Sequence, residues 1–133
     1  MKKIQVAAAI IKRDNEVFAT ARGYGQFKGL WEFPGGKIEQ GETPEEALYR
    51  EIIEELDTKI KINKLLEIVE YDYPDFHLIM YCYFCEIIEG NLVLKEALES
   101  KWLKLEDIDL VDWLPADLSV IEKVKVELRK YEV

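Results

Sequence analysis

Apolar and polar positions along this chain fall into two periods, one suited to strands and one to helices. Lys3 to Ile11 (KIQVAAAII) is an almost unbroken apolar run and Glu16 to Ala21 (EVFATA) is a second, with Arg13-Asp14-Asn15 between them. Such runs bounded by turn residues predict two strands. Leu30-Trp31-Glu32-Phe33 is a short apolar stretch ended by Pro34-Gly35-Gly36, read as a turn, and the intervening ARGYGQFKG is glycine-rich and reads as a loop.

The period changes at Thr43. Threonine, then Pro44, then Glu46 three positions on form a capping box with proline at the first helical position, so a helix is predicted from there to about Leu56. Leu48, Tyr49, Ile52, Ile53 and Leu56 fill one arc of it and are expected to pack on a sheet. Lys59 to Tyr73 and Phe76 to Ile88 are long β-rich runs joined at Tyr73-Pro74-Asp75 as a hairpin, followed by a turn at Glu89-Gly90-Asn91. Residues 99 to 105 predict a further strand and Glu106 to Ile108 a short turn. Leu118 to Tyr131 predict a closing helix with its apolar face at 118, 121, 124 and 128. This order implies an α/β (α+β) fold built on a mixed sheet.

Composition narrows the picture. The 133 residues suit one compact domain spanning 1–133, and with 49% hydrophobic and 11% aromatic residues the chain is globular rather than disordered. No apolar run approaches the ~20 residues of a membrane span, so no membrane partner is expected. The opening MKKIQVAAAIIKRDNE has lysines before an apolar stretch, as a secretory signal does. That stretch is short, contains Gln5 and meets charge without a small-residue cleavage site, so a first strand is the reading and a cytoplasmic location the expectation.

A formal charge of −9 argues against DNA or RNA held by its backbone, and it means that a bound phosphate chain needs a cation as mediator. Cys82 and Cys85 stand three apart within a β-rich run, which points them to opposite faces of a strand, as free thiols rather than a zinc or redox pair. His77 reads as a strand histidine.

The acidic residues carry the chemistry. On a helix from Thr43, Glu51, Glu54 and Glu55 fall within an arc of about 100°. Like charges so placed repel, which gives stability no reason for them. Carboxylates are the hard ligands that suit magnesium or manganese, and such a cation would hold phosphates that this acidic chain otherwise lacks the charge to bind.

From Gly36 the sequence runs GKIEQGETPEEALYREIIEELDT. It resembles the Nudix box, a glycine, five residues, glutamate, seven residues, Arg-Glu, an apolar residue, any residue and Glu-Glu, here at Gly36, Glu42, Arg50, Glu51, Ile52, Glu54 and Glu55. Asp57 and Thr58 depart from the glycine and apolar residue usual after the box. The resemblance extends from MKKIQVAAAII through WEFPGGKIE to LPAD, closest to the MutT-like branch, and implies an α/β/α sandwich and hydrolysis of nucleoside triphosphates to a monophosphate and pyrophosphate by water attack at the β-phosphorus.

By that resemblance the metal ligands are Glu51, Glu54, Glu55, the carbonyl of Gly35 and Glu96, with Mg2+ as the ion and Mn2+ as a substitute. Arg50 orients the cluster by pairing with a carboxylate such as Glu42, and Arg22 and Lys37 meet phosphate oxygens. A metal lowers the pKa of a bound water and a carboxylate, Glu51 or Glu96, takes its proton. Phe33 is a candidate to stack on the base and Asp117 to hydrogen-bond it. An ionised aspartate accepts only, and both cytosine and 8-oxoguanine present donors. Phe76 stands where the bacterial 8-oxo-dGTP enzyme has an arginine, and LPAD and GLWEF also look like segments of CTP-directed members, so both substrates stay open. So do a nucleoside diphosphate derivative such as ADP-ribose, a non-catalytic binding module, and monomer or homodimer.

Overall fold

The computed structural model describes residues 1–130; the predicted end of the closing helix at Tyr131 lies outside them. The chain is built around β1 (Lys2–Arg13), whose central residues are buried on both faces. β1 pairs antiparallel with β2 (Glu16–Ala21) and with β4 (Gly35–Lys37), and parallel with β6 (Phe76–Glu89). β2 pairs in turn with β3 (Trp31–Glu32) and β7 (Glu99–Lys104), and β5 (Lys59–Asp72) closes the other side against β6. One parallel pair among antiparallel ones makes the sheet mixed.

α1 (Pro44–Leu56) and α2 (Pro115–Arg129) cover opposite faces, giving the α/β/α sandwich that the resemblance implies. Ala7, Ala9, Ile11, Tyr83 and Cys85 pack with Leu48, Ile52 and Leu56 of α1. Ala8, Ile10, Cys82 and Phe84 pack with Val120, Val124 and Leu128 of α2. The two cysteines are thus free, buried and on opposite faces, as the spacing predicted.

The α1 cap forms as expected: Glu46 N–H donates to the Thr43 hydroxyl at 3.1 Å and Thr43 N–H to the Glu46 carboxylate at 2.8 Å. Tyr49 and Ile53, however, are 41% and 46% exposed, because the sheet meets only the narrower stripe of Ala47, Leu48, Ile52 and Leu56. α2 begins at Pro115, earlier than predicted, with Ala116 and Asp117 buried and Leu118 turned to solvent. Residues 105–110 form a 3-10 helix rather than a brief turn.

Gly35-Gly36 is not a turn but strand β4, in register with Ala8 and Ala7 of β1. The strands approach so closely that a Cβ on Gly35 would lie 1.9 Å from the Ala7 carbonyl oxygen. Glycine is needed there for contact rather than for bending.

Candidate active site

β1, β3, β4, the second half of α1 and the start of α2 line a cleft of about 610 Å3, within the range of small-molecule sites. At one end α1 presents Glu51 and Glu55, β3 presents Glu32, and the β6–β7 connection presents Glu96. Arg22, Lys37 and Lys95 also line it, and Phe33, Tyr73, Phe76 and Asp117 close the other end.

β4 and α1 meet at the acidic end. A Cβ on Gly36 would fall 2.2–2.7 Å from the Glu51 carboxylate atoms, so that carboxylate lies directly against bare backbone. Arg50 fixes it. Its Nε and Nη2 donate to the two oxygens of Glu42 at 2.8 and 2.9 Å, its Nη1 to Glu51 at 2.8 Å and Glu54 at 3.1 Å, and Nη2 also to the Lys37 carbonyl at 3.0 Å. This two-pronged pairing holds the Glu42 carboxyl down at about 2. Arg50 therefore ties the loop before α1, β4 and the glutamate face of α1 into one unit.

The predicted convergence of three carboxylates is not what the fold builds. Glu54 sits outside the cleft, exposed and paired with Arg50, while Glu32 on β3 takes a place in the wall that the sequence pattern did not suggest. Among the described residues no group of three or more His, Cys, Asp or Glu side chains is gathered tightly enough to hold an ion as it stands. The acids come from separate elements and face a shared space.

Burial first, then the charges of Glu51, Glu32 and Glu96, push the Glu55 carboxyl up to about 8. Burial likewise raises Glu51, against the pull of Arg50. An oxygen-only donor set, crowded with negative charge and cradled at Gly36, fits magnesium or manganese.

Arg22 is engaged within the protein: Nε and Nη2 donate to Glu32 at 3.0 and 2.6 Å. It remains half-exposed on the cleft wall. Lys37 is exposed at the rim.

At the apolar end, Trp31 N–H donates to the Asp112 carbonyl and Leu114 N–H to the Trp31 carbonyl, both at 2.8 Å, which seats the start of α2 over β3. Asp117 then accepts the backbone N–H of Phe33 at 2.9 Å. Burial pushes the Asp117 carboxyl up to about 8, only partly offset by that bond. That shift favours a protonated Asp117, which offers both a donor and an acceptor, over the ionised, accept-only form considered from sequence.

Phe33 is buried with its ring 4.8 Å from that of Trp113, so a core contact occupies one side of it. Tyr73 and Phe76, on either side of the β5–β6 hairpin, stack at 5.0 Å and 24°, and Phe27 meets Tyr73 at 5.3 Å. The Tyr73 hydroxyl accepts the Ala116 N–H at 3.1 Å, anchoring this aromatic wall to α2. Phe27 and Tyr73 escaped the sequence reading, although their place near glycine and proline turns marks them in retrospect.

The NUDIX domain family pattern matches residues 1–124 of this chain. The chain is 40% identical over 127 residues to an 8-oxo-dGTP diphosphatase of Escherichia coli (strain K12), covering 94% of this chain and 98% of that protein. It is 30% identical over 135 residues to a CTP pyrophosphohydrolase of the same strain, covering 92% and 91% respectively. The solution structure of the E. coli ORF135 protein superposes with a TM-score of 0.81 at 30% identity, over 97% of this chain and 92% of that one.

Proposed function

This chain belongs to the Nudix family, in its MutT-like branch, and on that premise we propose that it hydrolyses a nucleoside triphosphate to the monophosphate and pyrophosphate. The observation that carries the reading is a single cleft with acidic residues at one end and an aromatic wall beside Asp117 at the other. A triphosphate has matching ends, a polyanion that needs a cation and a base that needs a flat apolar surface.

Glu51, Glu55, Glu96 and the Gly35 carbonyl are the residues that would hold Mg2+, or Mn2+ in its place, with Glu54 kept beside them by the Arg50 nitrogen it shares with Glu51. When bound, the metal neutralises phosphate oxygens and lowers the pKa of a water. The chain's own groups do the rest. Arg50 fixes the Glu51 carboxylate, and we assign Glu51 as acceptor of the attacking water's proton, since its orientation is set and its basicity raised by burial. Arg22 and Lys37 meet phosphate oxygens, Arg22 by sharing its guanidinium between Glu32 and the substrate.

The base lies between the Phe33 side of the cleft and the Tyr73–Phe76 stack. Asp117, protonated, pairs with an edge that places a donor beside an acceptor, as 8-oxoguanine does at N7 and O6. We take 8-oxo-dGTP as the first substrate, supported by the 40% identity to an enzyme of that name. A CTP-type triphosphate is the second reading. It is favoured by Phe76, which offers a stacking face where an arginine was expected, and by the amino group and N3 of cytosine, which match the same aspartic acid.

The test is a panel of 8-oxo-dGTP, dGTP, CTP, dCTP and ADP-ribose with magnesium, measuring pyrophosphate and orthophosphate separately. Pyrophosphate from one triphosphate supports the reading and names the base. Activity confined to ADP-ribose overturns it in favour of a diphosphate-derivative hydrolase, and no turnover of any member overturns it in favour of a binding module.

A further inference from the structure

The two positions that depart from the Nudix pattern, Asp57 and Thr58, lie where α1 ends, and neither touches the cleft. Asp57 closes the helix in the left-handed region at φ 53°, its N–H donating to the Ile53 carbonyl at 3.0 Å. Thr58 is only 1% exposed, an unusual place for a hydroxyl in a position that is usually apolar.

That hydroxyl is fully used. It donates to the Leu56 carbonyl at 2.9 Å and accepts the backbone N–H of Leu92 at 2.9 Å. The neighbouring Val93 N–H donates to the same Leu56 carbonyl, also at 2.9 Å. Leu92 itself is held at φ 53°, a conformation a bulky residue adopts only when its surroundings insist on it. Gly90 makes the approach possible, since a Cβ there would lie 2.8 Å from the Asp57 carbonyl and from Thr58. The bonds thus fasten the β6–β7 connection to the exit of the helix that carries Glu51 and Glu55.

Four residues after Leu92 that connection delivers Glu96 to the cleft. Its other attachments are close at hand. The Glu96 carbonyl lies where a Cβ on Gly23 would be 2.0 Å away, and Leu98 N–H donates to the Ala21 carbonyl at 3.0 Å. The segment is otherwise irregular, and besides these bonds it is held by Leu92 and Leu94, which pack against the core on the α1 side.

We propose that Thr58 is a positioning residue for Glu96, its hydroxyl locking the β6–β7 connection to the end of α1 so that Glu96 faces the carboxylates of that helix. This rests on the reading of Glu96 as an acidic ligand of the site. It also gives the departure at Thr58 a purpose, because valine or leucine would fill the space but leave the Leu92 N–H without a partner.

Three variants test it: Thr58→Val, Thr58→Ser and Glu96→Gln. Each is assayed by Mn2+ titration of the nucleotide-free protein, by the magnesium concentration that half-activates turnover, and by amide exchange at Leu92 and Val93. Thr58→Val is expected to speed exchange at Leu92, weaken Mn2+ binding about ten-fold and raise half-activating magnesium to match, the scale typical of residues that orient metal ligands. Thr58→Ser keeps the hydroxyl and is expected to behave as the wild type. Should Thr58→Val fold poorly, Asp57→Gly/Thr58→Val replaces it, because glycine relaxes the positive φ at 57. If Glu96→Gln weakens Mn2+ binding while Thr58→Val leaves both binding and exchange unchanged, the positioning role is overturned and the site reading stands. If Glu96→Gln itself changes nothing, the assignment of Glu96 falls, and this proposal with it.

Discussion

Asp117 accepts the backbone N–H of Phe33 at 2.9 Å, joining residues 84 apart in sequence at the foot of the cleft. The bond fixes an ionisable group inside the core at a point where, among the described residues, no basic side chain forms an ion pair with it. Its carboxyl is pushed up to about 8, so in the native state it keeps a proton that the unfolded chain releases near pH 4. Stability from this group is complete below about pH 4 and is lost as pH rises toward about 8. Asp117→Asn is expected to flatten that decline by an amount on the order of a few kcal/mol. Denaturant midpoints at pH 5 and pH 8, in EDTA, measure it. A decline identical to the wild type's would show that Asp117 is ionised throughout.

Glu55 titrates in the same sense, raised to about 8 by burial and by neighbouring carboxylates. Glu55→Gln removes that buried charge. Above pH 8 in EDTA it is expected to melt higher than the wild type, and with magnesium to turn over at least about ten-fold more slowly. Thermal melts with and without magnesium check both parts, since added magnesium should raise the wild-type midpoint more than that of the variant. A variant that melts lower in EDTA would contradict the burial argument.

The adjacent glycines of β4 answer to different neighbours. Gly36→Ala meets the flexible end of Glu51, so the fold is expected to survive while activity falls about a hundred-fold. Gly35→Ala meets the Ala7 backbone and is expected to cost about 3 kcal/mol or more. Melting curves read beside kcat separate the two, and equal losses of stability would refute the distinction.

The elements differ in how legible they are from sequence. The capping box at Thr43, the opposed cysteines and the long β runs were legible because each rests on local chemistry or on a simple period. β4 was not, because a Gly-Gly pair looks the same whether the chain turns or two strands press together. The partnership of Arg50 with Glu42 was open to prediction from the box. That of Arg22 with Glu32 was not, since it depends on how β2 and β3 align. The exposure of Glu54 and the raised carboxyl of Asp117 follow from how α1 and α2 seat on the sheet, which no spacing reveals.

Arg50 joins four groups, Glu42, Glu51, Glu54 and the Lys37 carbonyl, that a lysine could not span with the same geometry. Arg50→Lys is expected to lower kcat about ten- to a hundred-fold while KM changes little, since substrate contacts remain. Steady-state kinetics check this, and a rise in KM at constant kcat would move Arg50 from orienting Glu51 to binding substrate.

Attack at the β-phosphorus is tested by hydrolysing the substrate triphosphate with magnesium in water enriched in oxygen-18 and locating the label by mass spectrometry. Attack at the β-phosphorus predicts one labelled oxygen in pyrophosphate and none in the monophosphate, with the yield falling sharply in Glu51→Gln. Label in the monophosphate, or orthophosphate as the first product, would rule out attack at the β-phosphorus, and undiminished yield from Glu51→Gln would rule out Glu51 as the base.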